Sequence, residues 1–296
     1  MKKISLNVIK KISSKDFDMK QHYELYRVMQ HAIQRKFTKD FSDVVDDSIL
    51  LRIFKNKEHN HKAIIYIHGG GWATGSVDTY TNICKKISEK TNRVVIAIDY
   101  RLAPEYKFPI GLTDCYEAIQ RIYENPEKFG ITTEDFTIMG DSAGGNITAA
   151  IALKNSREHK IKLSKQILIY PALQNDYSLA TKYKSVLENG EHSFLTRARI
   201  SDYLDLYVQD KKDLHNIYVA PLKASWLFHQ PKTLMITADL CPLKDEGYAY
   251  YKKLKRYGNK CSYYNVENVV HGYFSNVLKR KKIEETLQVI NEFLGD

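Results

Sequence analysis

Gly140-Asp141-Ser142-Ala143-Gly144 is the stretch from which the rest of the chain can be ordered. It follows an apolar run, Phe136 to Met139, and precedes a stretch of helical spacing, Asn146 to Leu153. Small residues on both sides of Ser142 let the chain turn sharply between strand and helix, which lifts the serine hydroxyl off the end of a sheet. A bare G-x-S-x-G match is weak, because Gly and Ser are common in plain structural turns. The strand before it and the helix after it make Ser142 a candidate nucleophile.

Working outward, four more apolar runs read as buried strands: Ala63 to Ile67, Val94 to Ile98, Gln166 to Tyr170 and Thr233 to Thr237. They are rich in Ile, Val and Tyr and apolar on both faces, as strands of a covered parallel sheet are. Helical spacing lies between them, as in Asp114 to Tyr123 with Cys115, Ala118, Ile119 and Ile122. The alternation predicts a doubly wound α/β fold. Two segments depart from it. One runs from Phe17 to Phe37, where Leu25, Met29, Ile33 and Phe37 recur at helical spacing. The other, 175–228, is far longer than an ordinary connection and has its own helical pattern around Ile200, Leu204 and Tyr207. Its aromatic residues, among them Tyr177, Phe194 and Tyr203, favour a packed lid over a disordered loop.

With 296 residues, 43% hydrophobic and 27% charged, the chain is long enough to bury a core without disulfides. Cys84, Cys115, Cys241 and Cys261 are far apart, which argues against a zinc site, a redox pair or a secreted disulfide framework. Cys84, Cys115 and Cys261 are expected in the core as small buried hydrophobes. Residues 1–11 lack the continuous apolar stretch of a signal peptide and no run reaches membrane-span length, so a cytoplasmic protein is expected. The net charge of +10 raises nucleic acid as a partner. The lysines are spread along the chain, with Lys279-Arg280-Lys281-Lys282 the densest run, and no nucleic-acid-binding motif accompanies them. A solvated surface is the expectation, with weak attraction to anions as the alternative.

His68-Gly69-Gly70-Gly71-Trp72 follows the run Ala63 to Ile67. Consecutive glycines leave backbone N–H groups open to a ligand, as acyl transfer requires for the oxygen that becomes negative. Gly70, Gly71 and Ala143 are therefore the expected oxyanion donors. A phosphate-binding loop is the competing possibility, but no G-K-[ST] or G-x-G-x-x-G follows. His271 comes in Val269-Val270-His271-Gly272-Tyr273, after the strand-like Ser262 to Val266. A lone histidine is more often structural, yet its place downstream of the Ser142 turn makes it the candidate base.

Taken together, His68-Gly-Gly-Gly-Trp72, Asp99-Tyr-Arg-Leu-Ala-Pro-Glu105, Gly140-Asp-Ser-Ala-Gly-Gly-Asn146 and His271-Gly272 resemble the hormone-sensitive-lipase-like carboxylesterases. The resemblance runs from about residue 40 to the end. It implies an α/β-hydrolase fold, a mostly parallel eight-stranded sheet flanked by helices. It also implies a helical cap from residues 1–45 and 175–228 over a core of 46–174 and 229–296. It further implies hydrolysis of short acyl esters with no cofactor and no metal. Arg101 and Glu105 would support the oxyanion loop, with a purely structural salt bridge as the alternative. One position departs from the family. The segment Thr237-Ala-Asp-Leu-Cys-Pro-Leu-Lys-Asp-Glu-Gly247 carries Cys241 where the family has its catalytic Asp. A thiol is a poor substitute, being neutral at pH 7 and a weak hydrogen-bonding group. Asp239 is the expected acid, since two residues back along an extended strand its side chain points the same way. Asp245 comes next, although an acidic residue at a helix start is also explained by the helix dipole. Asp176, or no carboxylate at all, are the remaining possibilities.

The expected activity is two-step acyl transfer by a serine carboxylesterase on acetyl to butyryl esters, with Ser142, His271 and Asp239 as catalytic residues. An amidase or formamidase using the same groups is one alternative. A non-catalytic small-molecule receptor is another, opposed by the joint presence of Ser142, His271 and the glycine loop. The expected partner is a small-molecule ester, without nucleic acid or membrane, and a homodimer is open.

Overall fold

The computed structural model describes residues 17–33, 40–191 and 194–295. In chain order the elements are α1 (Met19–Ile33), β1 (Ser42–Asp46), β2 (Ile49–Phe54), β3 (Ala63–Ile67), α2 (Val77–Thr91) and β4 (Val94–Asp99). They continue with α3 (Ile110–Glu124), α4 (Pro126–Phe129), β5 (Thr137–Asp141), α5 (Ala143–Glu158), β6 (Lys165–Ile169), α6 (Lys184–Asn189) and α7 (Arg197–Tyr207). Last come β7 (Lys232–Leu240), α8 (Lys244–Arg256), β8 (Cys261–Val270) and α9 (Arg280–Gly295).

The strands form one eight-stranded sheet in the order β1-β2-β4-β3-β5-β6-β7-β8. Pairing is antiparallel for β1–β2 and β2–β4 and parallel from β4 onward. This is the mostly parallel α/β-hydrolase sheet. Every residue of β3, β5 and β6 is buried, which requires cover on both faces. Helix α5 packs on β5 and β6, α8 on β7 and β8, while α2 and α9 pack on each other.

The hairpin β1–β2 was not among the expected strands. It begins at Ser42, inside the stretch assigned to the cap, so the sheet starts slightly earlier than the sequence suggests. The central Arg52 of β2 is buried and held by Asp43, Asp78 and Thr81. Of the helical pattern at the N-terminus, Met29 is buried and Leu25 is 37% exposed, while Phe37 lies outside the described residues. Helix α1 packs against α7 from the long insertion. All four cysteines are free; Cys84, Cys115 and Cys241 are buried, whereas Cys261, at the start of β8, is only partly so. No helix among the described residues is long and apolar enough to cross a membrane.

Candidate active site

Ser142 stands between β5 and α5 with φ 54° and ψ −120°. That conformation costs a non-glycine residue ~1–3 kcal/mol, so the surroundings must enforce it. They do so through close approach. A Cβ on Gly144 would lie 2.1 Å from the Ile67 carbonyl oxygen, so only glycine lets α5 start this near β3. The backbone N–H of Ser142 is fixed on the Ile169 carbonyl at 2.9 Å. Its hydroxyl then points at His271, with Oγ 2.9 Å from Nε2.

His271 follows β8. Its ring stands edge-on to Tyr170, with centroids 4.7 Å apart. Burial holds the imidazole well below its usual range, at about 3, and no charged group offsets that effect. Its other nitrogen, Nδ1, lies 3.2 Å from Cys241 Sγ, and the same sulfur accepts the Leu243 N–H at 3.4 Å. The thiol is fully buried, and burial pushes its pKa up, so it is neutral at physiological pH.

The expectation that Asp239 fills the acid position is corrected by this geometry. The β7–β8 pairing shifts register between Ala238 and Leu240, so the strict alternation that would turn Asp239 toward Cys241's side breaks at that residue. The Asp239 carboxylate instead takes the Lys244 ammonium at 2.8 Å, which holds its pKa below the usual carboxylate range. Asp245 is also committed elsewhere, accepting the Ser185 N–H at 2.9 Å. Asp176 accepts the Ser178 N–H at 3.1 Å.

Gly70, Gly71 and Ala143 line the same cavity as Ser142 and His271. Ala143 opens α5, where a backbone N–H has no acceptor within its helix. Gly71 has φ 60°, and a Cβ there would meet the Tyr203 ring at 2.2 Å. The cavity measures about 380 Å³ and is lined as well by Tyr26 of α1 and by Phe194, Leu195, Ile200 and Tyr203 of the insertion.

Several supporting residues carry no obvious mark in the sequence. Asp141, the variable position of the motif, is buried. Its carboxylate accepts from Gly69 N at 3.0 Å and from the hydroxyls of Tyr66, Tyr80 and Tyr170 at 3.0, 3.1 and 3.2 Å. Burial raises its pKa to about 6, against the lowering effect of these donors. Asn146 accepts from Trp72 Nε1 at 3.2 Å and donates to the Ala172 and Val219 carbonyls, both at 2.9 Å, which ties the glycine loop to the insertion. Arg27 of α1 donates to the carbonyls of Ala73 and Ala103 at 2.7 Å and to Glu105 at 2.8 Å. Glu105 is thus joined through Arg27 to the Ala73 carbonyl, just after the glycine loop. Arg101 instead holds Asp114, with Nε 2.9 Å from Oδ2. Tyr100 donates to the His68 carbonyl at 3.0 Å and stacks on its ring. No cluster of three or more metal-ligating side chains occurs among the described residues.

Residues 64–275 match a protein family described by its alpha/beta hydrolase fold. An arylesterase of Saccharolobus solfataricus is 35% identical over 242 residues, covering 81% of this chain and 78% of its own. A carboxylesterase of Mycobacterium tuberculosis is 34% identical over 224 residues, covering 74% of this chain and 68% of its own. In three dimensions, an esterase of the archaeon Pyrobaculum calidifontis superposes with a TM-score of 0.84 at 27% identity, over 97% of this chain and 96% of that one.

Proposed function

This chain belongs to the α/β-hydrolase family, in its hormone-sensitive-lipase-like branch, and we propose that it hydrolyses short-chain carboxylic esters through an acyl-enzyme on Ser142. One observation carries the proposal: Ser142 Oγ lies 2.9 Å from His271 Nε2 in the wall of a cavity lined by residues of α1 and the insertion. In that arrangement Nε2 takes the hydroxyl proton as Oγ attacks the ester carbonyl. The oxygen that becomes negative is received by the N–H groups of Gly70, Gly71 and Ala143, each worth ~3–4 kcal/mol in the transition state. His271 then protonates the leaving alcohol, and a water, deprotonated by the same nitrogen, releases the acid.

For Nε2 to accept a proton, Nδ1 must already carry its hydrogen, which then points at Cys241 Sγ. Sulfur is a weak acceptor, so it orients the ring only loosely. A neutral thiol also leaves the imidazolium formed during attack without a counter-charge. Replacing the acid by its amide costs ~10⁴ in turnover in a serine protease triad, so a slow esterase is expected rather than an inert one.

Helix α1 and the insertion act as a cap that limits acyl length. Support comes from the aromatic roof and from a cavity near the low end of the ~300–1,000 Å³ range of ligand sites. The partner is a small-molecule ester of the acetyl to butyryl class. The test is Ser142→Ala, which should lower turnover of p-nitrophenyl acetate and butyrate by ~10⁴–10⁶-fold with the fold intact. A fluorophosphonate should label the wild type on Ser142. Labelling elsewhere, or full activity in the variant, refutes the nucleophile; efficient hydrolysis of long-chain triglyceride emulsions refutes the chain-length limit.

A further inference from the structure

Away from the catalytic cavity, the chain after β6 and the C-terminal half of α8 border a second hollow of about 770 Å³, open to solvent, with Lys182, Lys223, Lys252 and Arg256 exposed and Lys253 half-buried. Five cations line it, Lys182, Lys223, Lys252, Lys253 and Arg256, against one carboxylate, Asp176. Among the described residues none of the five forms an ion pair. Lys244 on the same helix, by contrast, is neutralised by Asp239 at 2.8 Å. The contacts they do make leave their charge in place. Lys253 Nζ donates to the Leu222 carbonyl at 2.9 Å, and Lys182 and Lys252 lie over the rings of Tyr183 and Tyr248 at 5.4 and 5.7 Å. Burial, then repulsion from Arg256 and Lys182, holds the Lys253 ammonium below its usual range, so these positive groups are near enough to feel one another.

A simpler explanation covers part of the cluster. Lys252, Lys253 and Arg256 lie toward the C-terminus of α8, where cations are favoured by the helix dipole. Lys182 lies outside any helix and Lys223 ends a three-residue 3-10 turn, Pro221–Lys223, too short for a helix dipole to account for their convergence on the same hollow. Their meeting creates an excess of four positive charges in a concave space, where potentials add and fields are focused.

We propose that this hollow binds a small soluble polyphosphate, a ligand carrying two or more phosphate groups. A single carboxylate or phosphate would leave most of the charge uncompensated. Two or three linked phosphates match it, and the volume accommodates an organic body beside them.

Isothermal titration of the full chain with inorganic tripolyphosphate and with ATP, at low ionic strength, tests this. The expected result is saturable one-to-one binding that weakens as salt is added, unchanged in Ser142→Ala. The triple variant Lys182→Gln, Lys252→Gln, Arg256→Gln should bind at least ~10-fold more weakly, which is ~1.4 kcal/mol. A double variant, Lys279→Gln with Lys281→Gln, removes charge elsewhere and should bind as the wild type does. Should the triple variant fail to fold, Lys182→Gln alone, outside any helix, should still weaken binding by ~3-fold or more. Absence of saturable binding, equal loss in the control variant, or capture by phosphoinositide vesicles without binding of either soluble probe would each overturn the proposal.

Discussion

Replacing Cys241 with aspartate probes how His271 is oriented and charged. The sulfur is 3.2 Å from His271 Nδ1 and 3.4 Å from Leu243 N, so a carboxylate there has two donors already in position. At an effective dielectric of ~20, a unit charge at that separation attracts the imidazolium by ~5 kcal/mol. Desolvating a carboxylate at a fully buried position offsets part of this. If about half survives, His271 rises by ~2 pKa units at ~1.36 kcal/mol per unit. The wild-type ring titrates at about 3, so the variant ring should titrate near ~5 or above. With the neutral imidazole as the base, as proposed, activity falls as pH drops through the His271 pKa, and raising that pKa moves the acid limb to higher pH. The assay is kcat/KM for p-nitrophenyl butyrate across pH. We expect the limb to move up by ~2 units and the plateau to rise ~10–1,000-fold, within the ~10⁴ that separates a serine protease triad from its amide variant. A folded Cys241→Asp enzyme with the wild-type limb and plateau would refute the assignment of position 241 as the residue behind His271. Cys241→Ala, which removes the weak N–H···S contact, should lose turnover by only a few-fold to about tenfold.

Three further outcomes follow from the same geometry. Asp239→Asn removes a partly exposed ion pair with Lys244 and should change stability by no more than ~1 kcal/mol and turnover by no more than ~2-fold; a hundredfold loss would restore Asp239 as the acid. Asp141→Asn puts donors of its own among the three tyrosine hydroxyls and the Gly69 N–H, which should displace the glycine loop; kcat should fall ~10–100-fold in single-turnover measurements, as a misplacement of about 1 Å would produce. Arg27→Ala unties α1 from Ala73, Ala103 and Glu105; thermal or urea melting should register a loss of ~1–3 kcal/mol, and KM for butyrate esters should rise as the roof loosens.

The parallel part of the sheet was legible because its strands are buried on both faces and read as unbroken apolar runs. The hairpin was not. β1 is exposed along nearly all its length, and in β2 the run is interrupted by Arg52, whose burial makes sense only with Asp43 and Asp78 brought to it. The pairing of Ser142 with His271 was also open to inspection, since a local turn and a strand end place each one. Arg27 was hidden for the opposite reason. Its partners lie 46 to 78 residues away, and a lysine- and arginine-rich chain offers no ground for singling it out. Asp141 was passed over as the variable residue of its motif, although it collects Gly69 and three tyrosines from three separate parts of the chain.

The misreading of Asp239 shows where local pattern loses its force. The inference needed only that a strand alternate its side chains, which regular pairing guarantees. The pairing of β7 with β8 shifts between Ala238 and Leu240, and Cys241 lies beyond the end of β7, so the two residues are not related by strand periodicity at all. A carboxylate at 239 then does better on the surface, beside Lys244 and in partial contact with water, than it would buried at the sulfur's position. Charge alone does not draw an acid toward the histidine when desolvation opposes it and a lysine is nearer to hand. The backbone carries residue 241 to Nδ1, and what occupies that position sets how much charge the imidazolium finds there.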